Sequence, residues 1–312
     1  MKQLYAISSF LCLAALLAAS CTTSLTDEPD TTARAIAFST PQAGTRAAVT
    51  SSADMGDFSV WGGYGGSVDN VFKSTTILSP NWDYRDGTRY WIPGKTYNFY
   101  AVHPVLPIEG NETTVAVTNE GVITVKNFDC SKTGEEAVDL MTATAPGLLG
   151  SNAQTVGLEF EHELARIKFT VKSENTVATV SSFKMYGVNY QEPLTKGATA
   201  SWSSVTACTA GKTPYKLENF AFNTTNGFEK NVLGDVLLIP HTDLTNAELE
   251  IAYRYQDETE DRISTISLQT TDIVQWDAGK SYSYTLTIKG GELVITVNVV
   301  DWKEEDTSVS WG

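Results

Sequence analysis

Short runs in which every second residue is apolar recur from residue 35 to residue 302, separated by glycine, proline and aspartate. A period of two places alternate side chains on one face of a strand. Arg166 to Lys172 shows it plainly, with Ile167, Phe169 and Val171 on one side. Leu293, Ile295, Val297 and Val299 repeat the pattern inside a run from Leu293 to Trp302. Further strands are expected at Ala35–Ser39, Phe58–Tyr64, Tyr97–Val102, Val122–Val125, Leu158–Phe160, Val236–Ile239, Leu249–Tyr255, Ile263–Leu268 and Tyr282–Ile288. Asp86-Gly87, Pro93-Gly94, Glu109-Gly110-Asn111 and Pro146-Gly147 supply turns between them. No segment holds a 3.6-residue apolar period over three turns, so the expected fold is all-β and of sandwich type. The length suits two such domains. The best candidate for a junction is Ala145 to Asn152, which places an N-terminal sandwich at 35–155 and a C-terminal one at 156–312.

The first residues break the pattern. Lys2 precedes a nearly unbroken apolar run from Leu4 to Ala19, and Leu17-Ala18-Ala19-Ser20 leads into Cys21. A basic start, an apolar stretch and small residues before a cut describe a secretory signal. The run falls short of the roughly 20 residues a bilayer span needs. With cysteine in the first mature position it looks like a bacterial lipoprotein signal over residues 1–20, with lipid carried on Cys21. Thr22 to Thr32 is almost wholly Ser, Thr, Asp, Glu and Pro, too polar to bury, and residues 21–34 are expected to be a flexible linker.

Composition narrows the function. The formal charge is −15, and removing Lys2 with the leader makes the chain slightly more acidic. Such a surface repels phosphate backbones, which argues against nucleic acid as a partner. Apart from Cys12 and Cys21 the only cysteines are Cys130 and Cys208. They could pair after export, although two separate thiols are the simpler reading. His103, His162 and His241 stand alone, with no second ligand at metal spacing. The glycines of Trp61-Gly62-Gly63-Tyr64-Gly65-Gly66 lack the Lys-Ser/Thr partner of a phosphate loop. Glu135, Glu136 and Asp139 form one acidic group; Asp257, Glu258, Glu260 and Asp261 form another. Glycoside hydrolysis needs carboxyls facing each other across a cleft, which neighbours in a polar loop do not provide. The expectation is a protein that is not an enzyme and takes no cofactor or metal. Trp61, Tyr64, Trp82, Tyr84, Tyr90 and Trp91 crowd the first half. Exposed rings would suit a glycan-binding surface lipoprotein, whereas buried ones would be ordinary strand aromatics.

Taken in order, several blocks resemble the fimbrillins, subunits of the type V pili of Bacteroidetes. They are the leader, Ile36-Ala37-Phe38-Ser39-Thr40, Thr45-Arg46-Ala47, Phe58-Ser59-Val60-Trp61, Tyr90-Trp91-Ile92-Pro93, and Tyr97 to Pro104. Asp139-Leu140-Met141, Phe160 to Phe169, Leu237-Leu238-Ile239-Pro240, Trp276 to Tyr282 and Ile295 to Trp302 continue the likeness. Each block alone is weak; their order makes the match specific.

The resemblance implies two transthyretin-like β-sandwiches in tandem. It implies that an arginine-specific protease removes a first strand after export, with the matching cut between Arg46 and Ala47. Arg34 is a second arginine, but cutting there leaves the strand in place. A strand lost from a sandwich exposes core and unpaired backbone, a template for another strand. The donor implied is C-terminal: Leu293, Ile295, Val297 and Val299, or Val309 and Trp311 in Thr307-Ser308-Val309-Ser310-Trp311. Donor and acceptor differ, so the contact is heterologous and gives a filament. Implied partners are other fimbrillin subunits, in homo- or hetero-polymers, the protease, the outer membrane through lipid on the precursor, and a host glycan or protein receptor. A stalk subunit fits better than a tip or an anchor.

Overall fold

The computed structural model describes residues 34–40, 55–108, 112–174, 177–203, 207–209, 211–218, 222–224 and 229–302. Cys21, Arg46, Ala47, Val309 and Trp311 lie outside them. The strands of the first half are β1 (Phe38–Ser39), β2 (Phe58–Tyr64), β3 (Phe72–Ile77), β4 (Thr96–His103), β5 (Thr114–Val117), β6 (Ile123–Asp129), β7 (Met141–Leu149), β8 (Val156–Gly157) and β9 (Glu161–His162). The second half contributes β10 (Ala165–Glu174), β11 (Ala178–Tyr186), β12 (Gln191–Lys196), β13 (Ala200–Trp202), β14 (Lys216–Leu217) and β15 (Phe222–Thr224). It continues with β16 (Glu229–Leu238), β17 (Glu248–Tyr255), β18 (Arg262–Ser267), β19 (Lys280–Lys289) and β20 (Glu292–Asp301).

An antiparallel sheet in the order β3-β2-β4-β7-β9 organises the first half. Its centre is buried on both faces, which is why β2 and β4 read as nearly continuous apolar runs rather than alternations. Phe58, Val60, Phe99 and Ala101 point into one core with Ile36, Phe38, Phe72, Val156, Leu158 and Phe160. Trp61, Tyr100 and Val102 point the other way, into a core shared with Val125, Phe128, Leu194, Leu237, Ile239 and Trp302. That second face is covered by a sheet in the order β13-β12-β6-β5. Its central ladder pairs β6 with β12, so strands from both halves of the chain lie in one sheet. A third core lies between β16-β10-β19-β20 and the sheet of β14, β11, β17 and β18, filled by Phe169, Phe183, Tyr253, Trp276 and Tyr284 among others.

Two local expectations give way here. Ala145 to Leu149 is not a connecting loop but the second half of β7, paired with β4. Pro146 and Gly147 are tolerated because the register shifts there, between Tyr97 and Phe99. Gly147 takes the left-handed conformation (φ 72°), and its N–H donates to Asn98 Oδ1 at 2.9 Å. Leu158 to Phe160 forms no ladder of its own; β8 and β9 flank it. Packing changes hands between Phe160, in the first core, and Ala165, in the third.

Candidate functional site

The residues just ahead of Arg46 are built into the body. Ile36 and Phe38 are 1% and 5% exposed, and they point into the first core. Phe38 meets Phe72 and Phe99 edge to face, at centroid distances of 5.2 and 5.8 Å. The guanidinium of Arg89 covers Phe72 at 4.6 Å and Tyr84 at 5.3 Å. Asp86 holds that guanidinium at 2.7 Å. The hydrogen bond to Arg89 keeps the Asp86 carboxyl below its usual range.

The backbone of this segment is gripped on two sides. Residues 34–36 run antiparallel to 89–91: Ile36 N–H donates to Arg89 O at 2.8 Å, and Trp91 N–H donates to Arg34 O at 3.0 Å. Between those bonds Ala35 faces Tyr90. Residues 37–39 then run parallel to 156–158: Val156 N–H donates to Ala37 O and Leu158 N–H to Ser39 O, both at 2.8 Å. The Tyr84 hydroxyl donates to Ile36 O at 2.9 Å. Residues 34–40 therefore fill a slot, clamped along both edges rather than laid against one. Emptying it leaves three backbone N–H donors and one carbonyl unpaired beside a buried pocket. Each buried orphan costs about 1–3 kcal/mol, so the slot favours being filled.

At the other end of the chain, β20 pairs with β19 along its whole length, from Glu292 opposite Lys289 to Asp301 opposite Lys280. Leu293, Ile295, Val297 and Val299 pack, half-buried, on the third core. Trp302 ends the strand fully buried in the core shared by both halves. Beside it lies a polar junction that sequence reasoning treated as isolated residues. His162 Nδ1 lies 3.0 Å from Asp139, and both side chains are buried. Glu163 accepts from the Thr142 hydroxyl at 2.5 Å and pairs with Lys196 at 2.9 Å. Burial pulls the Lys196 pKa down, but Glu161 and Glu163 outweigh it and leave it raised. A cavity of about 620 Å³ opens next to these groups, bounded by Ala198, Thr199, Gly279 and Asp301.

The other candidate residues are dispersed. Trp61 and Trp91 are buried, Trp82, Tyr84 and Tyr64 are packed on the first core, and Tyr90 is half exposed. No row of open rings results. Asp257 to Asp261 form the β17–β18 turn, where Glu258 pairs with Arg262 and Asp261 with Arg254. Cys130 and Cys208 are buried, free thiols. Among the described residues no three potential ligands gather for a metal ion. The walls of the slot (Tyr84, Arg89, Trp91, Val156, Leu158) carry no local signal of their role, because they come from two stretches far apart in the chain.

A profile of fimbrillin-like proteins matches residues 45–302. The chain belongs to the fimbrillin-like family. No curated protein matches this fimbrillin-like chain. Among solved structures it is similar to a fimbrial protein from Bacteroides vulgatus, at 18% identity and a TM-score of 0.61, covering 86% of this chain and 99% of that one. A candidate cell adhesion protein from Bacteroides uniformis aligns at 17% identity and a TM-score of 0.57, with 86% and 99% covered. One from Bacteroides ovatus aligns at 15% identity and 0.50, with 86% and 97% covered. At such identities the likeness concerns the fold. The family itself is one of structural fimbrial proteins rather than enzymes, and this chain is a subunit of that kind.

Proposed function

We propose that this subunit is exported as a lipoprotein on Cys21, cut between Arg46 and Ala47 by an arginine-specific protease, and polymerised by strand exchange. The body would comprise two transthyretin-like sandwiches in tandem, held at the outer membrane before the cut. One observation carries the reading: a two-sided slot is occupied by residues 34–40, which lie upstream of Arg46 in the sequence.

Before cleavage the tether through Arg46 keeps the segment at high effective concentration beside its slot. After a cut at Arg46, only its own contacts retain it. Burial of Ile36 and Phe38 contributes roughly 1.5–3 kcal/mol each, as an upper estimate, with the backbone bonds in addition. Without the tether the segment can exchange, and once it has left the slot is open to a strand from a neighbouring subunit. Because that strand is C-terminal and the slot N-terminal, the contact repeats without closing, which suits a stalk. A host glycan or protein would be met by the assembled fibre.

The test is direct. Chain lacking residues 1–20 should be monomeric, and trypsin nicking at Arg46 should convert it into SDS-resistant ladders. Ladders of equal yield from Arg46→Ala would remove the processing step from the account. Mass spectrometry of the subunit from cells should find Ala47 as its first residue; an acylated Cys21 on fibre subunits would instead make it an anchor.

A further inference from the structure

We propose that the cavity beside Glu163 binds the primary ammonium group of a short aliphatic amine, with Glu163 Oε2 as its anchor. The site stands apart from strand exchange and belongs to the uncut chain.

The anchor is a charge held out of water with half of its carboxylate unused. Glu163 is 1% exposed, yet it lines the cavity of about 620 Å³. Both of its side-chain contacts, from the Thr142 hydroxyl and from Lys196, fall on Oε1. Oε2 has no partner among the described residues. A buried carboxylate oxygen in that state is costly, so the site favours a ligand that donates to it.

The neighbouring groups define that ligand. Lys196 also donates to Glu161 Oε2, at 2.8 Å, so one lysine serves two carboxylates and one negative charge is left over. His162 lines the same cavity, and its Nδ1 lies 3.0 Å from Asp139. A carboxylate only accepts, so the proton of the neutral imidazole sits on Nδ1 and Nε2 is an acceptor. The cavity thus offers acceptors and surplus negative charge. An ammonium answers with three donors and one positive charge, whereas a carboxylate or phosphate is repelled.

Ala198, Ala200, Ala278 and Gly279 form much of the remaining wall. Such small residues leave room for an unbranched alkyl stem and provide no ring on which a sugar could stack. The volume falls within the range of roughly 300–1,000 Å³ typical of small-molecule sites. A divalent metal does not suit, because Lys196 already holds both carboxylates and no three potential ligands gather among the described residues. The walls come from β9, from the turn between β12 and β13, from the turn before β19 and from the end of β20. A bound amine ties these segments together, so the melting temperature should rise with its concentration.

The same ammonium chemistry is carried by a free diamine and by a lysine side chain. Uncut chain lacking residues 1–20 is titrated with cadaverine, with Nα-acetyllysine amide, with pentanol and with pentanoate, following heat by calorimetry and melting temperature. Both amines should bind saturably and raise the melting temperature, and the alcohol and the acid should do neither. Tighter binding of cadaverine assigns the site to a free amine; tighter binding of the capped lysine assigns it to the side chain of another protein. Glu163→Gln should weaken amine binding about tenfold or more, the loss of one charge-assisted hydrogen bond. That change also takes a partner from Lys196, so Ala198→Leu is the second variant. Ala198 is exposed, and a leucine there fills the cavity while leaving every charge in place. It should weaken the amine in protein that remains folded. No saturable heat with either amine, equal binding of pentanol, or amine binding unchanged in either variant would overturn the proposal.

Discussion

The indole of Trp302 lies flat on the imidazole of His162, with ring centroids 4.0 Å apart and planes 7° from parallel. Arg166 lies on the same indole at 5.7 Å and is itself held by Asp235 at 3.3 Å. The Trp302 backbone N–H donates to Gly279 O at 2.9 Å. The end of β20 is thus pinned by residues from β9, β10, β16 and the turn before β19.

Trp302→Ala should destabilise the protein by about 3–5 kcal/mol, the range for deleting a large buried aromatic. Urea unfolding followed by circular dichroism measures it. Trp302→Phe should lose less, because the indole Nε1 is buried with no hydrogen-bond partner among the described residues and its removal relieves that cost.

Phe38→Ala removes the aromatic anchor of the resident strand. In uncut chain it should cost about 3–5 kcal/mol, measured by the same unfolding assay. After nicking at Arg46 it should speed release of the upstream peptide and shorten the lag before ladders form. A lag unchanged from the parent would mean that strand departure does not limit assembly.

His241 gives the protein an acid-sensitive element. Its Nε2 accepts from Asn189 N–H at 3.0 Å, so the proton sits on Nδ1, which donates to Ile239 O at 2.7 Å. Burial pushes its pKa below 6.5, outweighing the Ile239 bond, which raises it. Because the folded value lies below the unfolded one, the stability this neutral ring contributes is complete above about 6.5 and is lost as pH falls through the folded pKa. Melting temperature should decline on acidification from neutrality, and His241→Gln should flatten that part of the profile even if it melts lower throughout.

Cys130 should be inert in the folded state. Burial pushes its thiol up to about 12, and its Sγ lies 3.3 Å from Tyr190 O. The thiolate is the reactive form, so iodoacetamide at pH 8 should leave Cys130 unmodified in native protein and label it in denaturant, as read by peptide mass spectrometry. Ready labelling of native protein would contradict the packing around Tyr190 and Tyr215.

Much of the architecture was legible because it is written locally. The Ile167-Phe169-Val171 face, the β17–β18 turn and the full length of β20 all follow from a two-residue period and its turn residues. Met141 to Leu149 was misread because Pro146-Gly147 is turn chemistry in most settings; here a bulge and the Asn98 side chain accommodate it within a strand. His162 looked like an isolated histidine because its partners, Asp139 and Trp302, are distant in sequence.

The slot marks the same division. That Ile36 and Phe38 belong to a strand can be seen in the residues, since side-chain alternation is a property of neighbours. That this strand is held antiparallel by 89–91 and parallel by 156–158 depends on register between segments far apart in the chain, and register is set by packing of the whole core rather than by any local period. Only the fold could turn a short apolar stretch into a strand gripped by two distant segments.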